Sequence, residues 1–441
     1  MMPARLARRG AGCHEAGRPP PDPQRPLTPP PGLPTRKAAR DLLAATLDER
    51  RPLEEALEAL PRRLDPRDRA AAHRIAAMVL RRLGSIDEVL SPYLRKEPPP
   101  PARHALRIGA AELLLLETPP HAAVATAVAL APRAFAGLVN AVLRKVAAEG
   151  PAALEGLDAP RLDTPAWLWA AWHAAYGPAV RAIAEAHRGP APLDLTPAPG
   201  AEPPAGAEVL PTGSWRLAAG TRVTDLPGFA EGRFWVQDAA AALPALLLKP
   251  QPGERIADLC AAPGGKTAQL AAAGADVTAV ERDAARVARL AENLARLRLP
   301  ATVVQADAAT WAPPAPFDAI LLDAPCTATG TIRRHPDVAH TKRPRDVQGA
   351  VEAQARLIAA AAKMLAPGGR LIFATCSLQR EEGEAHLARA EGAGLRHDPF
   401  TPAELPGLPD AVTDGCLRTR PDFWPDRGGM DGFFAARFRR V

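Results

Sequence analysis

The chain has 441 residues, 47% hydrophobic and 24% charged, with a mean hydropathy of -0.12, which suits a globular protein of about three domains. No apolar run reaches the ~18 residues that a bilayer span needs, which excludes a helical membrane protein. Five cysteines exclude a disulfide scaffold and suit a reducing compartment. The net charge of +6 belongs to the start: residues 1–40 hold eight Arg or Lys and two acids, leaving 47 of the 55 basic and 47 of the 49 acidic residues for the rest. A polyanion bound by the body must therefore be held by local basic clusters.

Residues 1–34 carry ten prolines and no apolar periodicity, so a disordered tail or an over-long start is expected there. From Thr35 the pattern turns helical. Leu42, Leu43, Leu47, Leu53, Leu57 and Leu60 recur near helical spacing until Pro61 interrupts. Stretches 68–83, 105–116 and 121–146 repeat this between breaks at Pro92, at 98–101 and at Pro119 with Pro120. Four to seven helices without a strand pattern predict an all-α module over residues 35–150.

Residues 151–235 are mixed and rich in Pro and Gly, and read as a small linking subdomain. Trp167, Trp169, Trp172 and Tyr176 fall on one short stretch whose spacing suits a helix laid on a neighbouring domain. Basic residues are not interleaved among them, which favours packing over a base-stacking platform.

From about residue 236 strand and helix alternate. Strands are predicted at 256–259, 277–280, 302–305, 319–322 and 371–374, and helices at 267–273, 283–297 and 347–365. This order implies a doubly wound parallel sheet. Ligands of such sheets sit beyond the carboxyl ends of the strands, so site residues should follow each strand. The residues found there are the run DLCAAPGGK from Asp258 to Lys266, then Glu281, Asp307, the run DAPC from Asp323 to Cys326, and Thr375-Cys376-Ser377. Acids and thiols stand at every strand end.

Each piece has a physical use. Gly264 and Gly265 allow the backbone close to a ligand and open a helix whose N-terminus favours negative charge. Glu281 is placed to accept hydrogen bonds from a ribose diol, and Asp307 to take an adenine amino group. The rival reading is a phosphate-binding loop, because Gly265-Lys266-Thr267 imitates its end. That loop needs glycine five places before Gly265, where Cys260 stands, and its interior here holds Pro263.

Four cysteines lie in the α/β part, and no close pair offers a zinc site, so no metal is expected. Cys260 reads as a small packing residue. Cys326 and Cys376 follow two strands that flank one crevice, where a thiolate can act as a nucleophile.

The stretches DLCAAPGGKT, LLDAPCTATGTIRRHPD, APGGRLIFATCSLQREEGE and GGMDGFFAARF resemble the RNA cytosine-C5 methyltransferases of the RsmB/NOP/NSUN family. Upstream, RDRAAAHRIAAMVLRRLG, ALRIGAAELLLL and LVNAVLRK resemble a NusB-like RNA-binding domain. The resemblance spans roughly residues 35–441. It implies a multidomain protein with an all-α NusB-like helical domain at 35–150 and a linking subdomain at 151–235. Residues 236–441 would form an α/β Rossmann-like S-adenosylmethionine-dependent methyltransferase domain on a mostly parallel seven-stranded sheet. The implied enzyme is cytoplasmic and monomeric, without metal or membrane, and methylates C5 of a cytosine in RNA, most closely 16S rRNA of the cytosine 967 type. The alternatives are the same chemistry on tRNA, or a non-catalytic NusB-like RNA-binding ribosome assembly factor.

Residue by residue, the resemblance makes Cys376 the nucleophile that adds to cytosine C6, and Cys326 the residue that assists elimination and release. It makes Asp323 the carboxylate that holds the pyrimidine edge and favours protonation at N3. Cofactor contacts carry over to Cys260, Ala261, Ala262, Pro263, Gly264, Gly265, Lys266, Glu281, Asp307 and Asp323. Glu281 stands where many members have Asp, and the ribose contact needs only a carboxylate. The densest basic groups of the body, Arg333, Arg334 and His335, then Lys342, Arg343 and Arg345, are expected to grip RNA phosphates beside a flipped base. Arg418 and Arg420 are further candidates.

Overall fold

The computed structural model describes residues 30–405 and 407–441. The tail expected at 1–34 therefore lies, up to residue 29, outside the described residues. Helices α1 (Leu33–Leu43), α2 (Leu53–Glu58), α3 (Pro66–Arg81), α4 (Leu83–Leu90), α5 (Pro100–Leu114), α6 (Pro120–Leu130) and α7 (Ala136–Glu149) form a first body. Their apolar faces meet in one core holding Leu42, Leu43, Leu80, Ile86, Leu106 and Leu143. Each such side chain contributes about 1.5–3 kcal/mol on leaving water. Helix α5 is buried along most of its length, so its polar residues are paired: Arg107 donates to both oxygens of Asp87 at 2.8 and 2.7 Å.

Prolines set the helix ends. Pro100 and Pro120 lie in first turns, where the missing N–H has no partner to lose, so stretch 98–101 opens a helix where only a break was expected. The single helix expected over 121–146 is two helices. Pro132 drives the preceding Ala131 to an extended conformation (φ -72°, ψ 151°), which ends α6.

Next come short helices α8 (Ala159–Leu162), α9 (Ala166–Tyr176) and α10 (Val180–Ala186). Strands β1 (Leu193–Pro197), β2 (Glu208–Val209), β3 (Trp215–Leu217) and β4 (Phe234–Val236) follow, and pair antiparallel in the order β2-β3-β1-β4. Helix α9 lies on its neighbour: Leu168 and Trp172 pack with Ile332, Val338 and Leu378 of the last body.

The last body comprises α11 (Ala239–Leu248), β5 (Arg255–Leu259), α12 (Gly265–Ala272), β6 (Asp276–Glu281), α13 (Ala284–Leu297), β7 (Thr302–Gln305) and β8 (Phe317–Asp323). It continues with α14 (Val338–Thr341), α15 (Pro344–Met364), β9 (Leu365–Thr375), α16 (Leu387–Gly392), β10 (Leu395–His397), β11 (Val412–Thr413), β12 (Cys416–Arg418) and β13 (Phe434–Arg440). All five predicted strands form. The sheet order is β11-β12-β13-β9-β8-β5-β6-β7, with β10 also on β13. Strands β9 through β7 are parallel, and short antiparallel strands around β13 bring the sheet to nine, two more than the seven expected.

Two features of this topology place the site. Strand β5 has β6 on one side and β8 on the other, so the chain order reverses there and leaves a crevice above their carboxyl ends. Strand β13 runs antiparallel to β9 with Phe434 opposite Thr375, so the segment just before β13 returns to the end of β9.

Candidate active site

Loops after β5, β8 and β9 enclose a cavity of about 420 Å³. Its walls take Cys260, Ala261, Ala262, Pro263, Gly265 and Lys266 from the first loop. Asp323 and Cys326 come from the second loop, Cys376 from the third, and Arg334, His335 and Phe433 close the space. Glu281 and Asp307 line an adjoining recess of about 110 Å³ that shares Cys260 and Arg286 with the larger space. Gly264 shapes the loop: its φ is 102°, and a Cβ there would stand 2.5 Å from Leu290 Cδ1. Lys342, Arg343 and Arg345 line neither space.

The sulfur atoms of Cys326 and Cys376 are 3.4 Å apart. Parallel pairing of β8 with β9 sets this up, with Asp323 in register with Ala374, and the loops are then tied by Ala324 N donating to Ala374 O at 2.9 Å. The hydrogen bond to Cys376, and then burial, push the Cys326 thiol well above its ordinary range. Either sulfur can be the donor in this contact. Cys260 is different: burial first, then Glu281, push its thiol up to about 12, and it serves as cavity wall.

Beneath both thiols lies a carboxylate that sequence reasoning missed. Glu382 is fully buried. Its Oε2 accepts from the hydroxyls of Thr327 and Ser377, and its Oε1 accepts from Thr327 N at 2.8 Å. One side chain therefore joins the residue after Cys326 to the residue after Cys376. Burial holds its carboxyl above the ordinary range despite those donors. Its acidic neighbours Glu381 and Glu384 look the same in the sequence, and only the tertiary fold singles it out.

Across the cavity, Lys266 Nζ donates to Asp323 Oδ2 at 2.7 Å and sits 5.0 Å from the centre of the Phe433 ring. Asp258 lies under the first loop. Its Oδ2 accepts from Thr267 Oγ1 at 2.5 Å, its Oδ1 has no partner, and burial pushes its carboxyl up to about 7. Glu281 is 2% exposed; its Oε1 accepts from Arg282 N and Asp283 N, at 2.9 and 3.2 Å. Its Oε2 faces Arg286 at 3.1 Å without an aligned hydrogen bond. Buried polar oxygens without partners are uncommon. Asp258 Oδ1 without a partner, and Glu281 Oε2 with only the ion pair to the half-exposed Arg286, stand at the ends of adjacent strands and fit a ligand that brings hydroxyl and ammonium donors, and S-adenosylmethionine has both. Asp307 is exposed at the rim, with one oxygen taken by Ala309 N at 2.9 Å.

The basic cluster needs correction. Arg333 is 1% exposed, hydrogen-bonded to Asp238 and paired with Asp431 at 3.1 Å, so it cannot reach a phosphate. Those acids lie 95 and 98 residues away in sequence, beyond any local charge count. Arg334 is held by two nitrogens on Asp431 yet remains a third exposed at the cavity, and Asp431 keeps it charged against burial. Burial works to raise the Asp431 carboxyl, but Arg334 and Arg333 hold it below its ordinary range. Burial, then Arg334, lower His335. Arg343 and Arg345 are exposed at the start of α15, and Lys342 is half-buried. Arg418 is buried against Glu384 at 2.6 Å, and Arg420 pairs with Asp422 at 2.9 Å, so neither is a free cation. The segment before β13 is brought in by Gly432 N donating to Gly330 O at 2.8 Å, where a Cβ on Gly330 would lie 1.9 Å from Gly432 O.

The model of the family 16S rRNA methyltransferase RsmB/F matches residues 245–439, and that of the NusB family matches residues 33–148. Ribosomal RNA small subunit methyltransferase B of Xanthomonas campestris pv. campestris is 36% identical over 433 residues, covering 92% of this chain and 97% of that protein. The protein of the same name from Sodalis glossinidius is 37% identical over 435 residues, covering 91% and 96%. Among solved structures, PH0851 is similar over 92% of this chain and 99% of its own, with a TM-score of 0.67 at 22% identity, a likeness of fold. A methyltransferase homolog protein from Pyrococcus horikoshii is 26% identical with a TM-score of 0.50, covering 62% of this chain and 94% of its own.

Proposed function

The chain belongs to the RsmB/F family of 16S rRNA methyltransferases, and from that premise we propose that it methylates C5 of a cytosine in 16S rRNA through a covalent bond between Cys376 and C6. S-adenosylmethionine, when bound, supplies an electrophilic methyl group. Glu281 would take the ribose diol and Asp258 the ammonium, within the loop from Cys260 to Lys266.

The remaining work falls to the chain's own residues. Cytosine C5 is a poor nucleophile, so Cys376, its proton given up to solvent, adds as a thiolate to C6; the C5–C6 pair shifts to C4–C5, the C4–N3 pair shifts to N3, and N3 takes a solvent proton that it returns when C5 takes the methyl group. Asp323, steered by Lys266, holds the N3 and amino edge of the ring. Once C5 carries the methyl group, its remaining hydrogen must leave as a proton. The C5–H pair then forms the C5–C6 double bond, and the S–C6 pair returns to Cys376. Cys326 is the base beside C5. Cys326 must first lose its own proton to solvent, which is easier once Cys376 is bonded to carbon because the Cys376 contact is the largest cause raising the Cys326 thiol; the resulting thiolate then takes the proton from C5. Arg343 and Arg345, with Lys342, contact RNA phosphates outside the cavity.

The observation that carries this reading is the 3.4 Å approach of two thiols in the cavity wall. The test is to incubate the full chain with methyl-labelled S-adenosylmethionine and unmethylated 16S rRNA, and to map the product by bisulfite sequencing. One protected cytosine in 16S rRNA is expected, and none with Cys376→Ala. Label only in tRNA would move the substrate, and cofactor binding without label in either RNA would overturn the catalytic reading.

A further inference from the structure

Hydrogen bonds and ion pairs between the helical body and the last body converge on one stretch. Among the described residues, all but the exposed Arg289–Glu58 pair fall on residues 333–346, which lead from the Cys326 loop to the start of α15. Arg50, in the turn before α2, donates to the Thr341 carbonyl and pairs with Asp346 at 3.3 Å. Leu53 N, at the start of α2, donates to Asp337 Oδ2 at 3.2 Å. Arg81, the last residue of α3, donates to the Arg333 carbonyl, and His340 Nε2 donates to the Leu80 carbonyl at 2.8 Å.

Two of these bonds take backbone carbonyls of the stretch itself, those of Arg333 and Thr341, and three hold it by the side chains of Asp337, His340 and Asp346. From the other side, Asp238 and Asp431 grip the Arg333 side chain. The stretch is thus held between two bodies, and its residues Arg334 and His335 form one side of the cavity that contains Cys326 and Cys376. A helical body that served only to tether RNA would have no need to grip this wall.

We propose that Arg50 and Asp337 are positioning residues: through them the helical body sets residues 333–346 so that Arg334 and His335 face the target nucleotide beside the two thiols. The inference rests on the reading of this cavity as the site of methyl transfer. It makes the helical body part of the active-site construction, so the chemistry depends on how that body is seated.

The experiment compares Arg50→Ala and Asp337→Ala with the conservative Arg50→Lys and Asp337→Asn, all in the full chain. It measures kcat and KM for 16S rRNA, S-adenosylmethionine affinity by calorimetry, and the thermal midpoint. The alanine variants should lose about tenfold or more in kcat, as small misplacements of reacting groups do. Their cofactor affinity should stay within about twofold of the unaltered chain, and the conservative variants should recover most of the rate. Unchanged kcat with a raised RNA KM would overturn the proposal in favour of a tether. Loss of kcat, cofactor affinity and thermal midpoint together, in conservative variants as well, would reduce the contacts to structural glue. Failure of the underlying reading shows separately, as an unaltered chain that binds the cofactor and methylates no RNA.

Discussion

Cys326 Sγ lies 3.4 Å from Cys376 Sγ, and that contact is the largest cause raising the Cys326 thiol above its ordinary range. Either sulfur can donate in that contact, and it is the Cys326 thiol that the contact raises. The effect is also self-cancelling, because a Cys376 sulfur bonded to carbon no longer raises its neighbour's thiol. One geometric relationship serves both addition and elimination.

Separate replacements should expose that division. Cys376→Ala should lower methyl transfer by about a thousandfold or more, as removal of a nucleophile does. Cys326→Ala should still form the bond to C6 but fail to release it, giving an RNA adduct visible as a slow band on a denaturing gel. An adduct from the Cys376→Ala protein would reverse the two roles.

Much of the last body was legible because strand ends carry its chemistry. Cys260 to Lys266, Asp323 with Cys326, and Cys376 lie in three stretches of sequence, and the order of β5, β8 and β9 alone brings them to one cavity. Five of the nine sheet strands, β5 to β9, are also plain from their apolar runs; no strand is predicted at β13, and β10 to β12 are two or three residues long. What was not legible depends on distant partners. Arg333 reads as a surface cation until Asp238 and Asp431 are seen to enclose it, and Glu382 reads as one acid in a run until Thr327 and Ser377 are seen to bond to it. Pairing across the fold has no periodicity for a sequence to display.

The burial of Arg333 between Asp238 and Asp431 has a measurable consequence. Arg333→Ala would leave Asp238 and Asp431 buried with less charge compensation, and should destabilise the protein by about 3–5 kcal/mol in denaturant titration. The double change Arg343→Ala and Arg345→Ala, at exposed positions, should leave stability within about 0.5 kcal/mol. It should instead weaken RNA binding and lower the slope of log affinity against log salt by about one to two units. Equal loss of stability in both proteins would contradict the assignment.

Glu382 gives a test of thiol spacing. Glu382→Ala strips the shared acceptor from Thr327 and Ser377 and leaves the buried Thr327 N–H without its carboxylate, a loss of about 1–3 kcal/mol. With the Glu382 link gone and only the weaker ties between the two loops left, kcat should fall about a hundredfold while cofactor affinity changes little. Glu382→Gln keeps an acceptor for Thr327 N, and its rate should fall between the two. A rate for Glu382→Ala equal to that of the unaltered protein would show that the loops hold their spacing without it.

Asp258 predicts a pH dependence of definite sign. Burial raises its carboxyl from 3.8 to about 7, so between those values the folded chain keeps a proton that the unfolded chain has lost. Its contribution to stability is full below about pH 4 and is lost as pH rises through 7, by at most about 4 kcal/mol. Cofactor binding runs the other way. An ammonium group seated at the unpartnered Oδ1 favours the carboxylate, so binding between pH 6 and 7 should release a proton, and affinity should rise about tenfold from pH 6 to pH 8. Calorimetry in two buffers of different ionisation enthalpy reads that proton directly. Asp258→Asn should bind more weakly at pH 8, release no proton and flatten both profiles. A proton released undiminished by the Asn variant would have to come from another group, and the cofactor's ammonium would then not sit at Asp258.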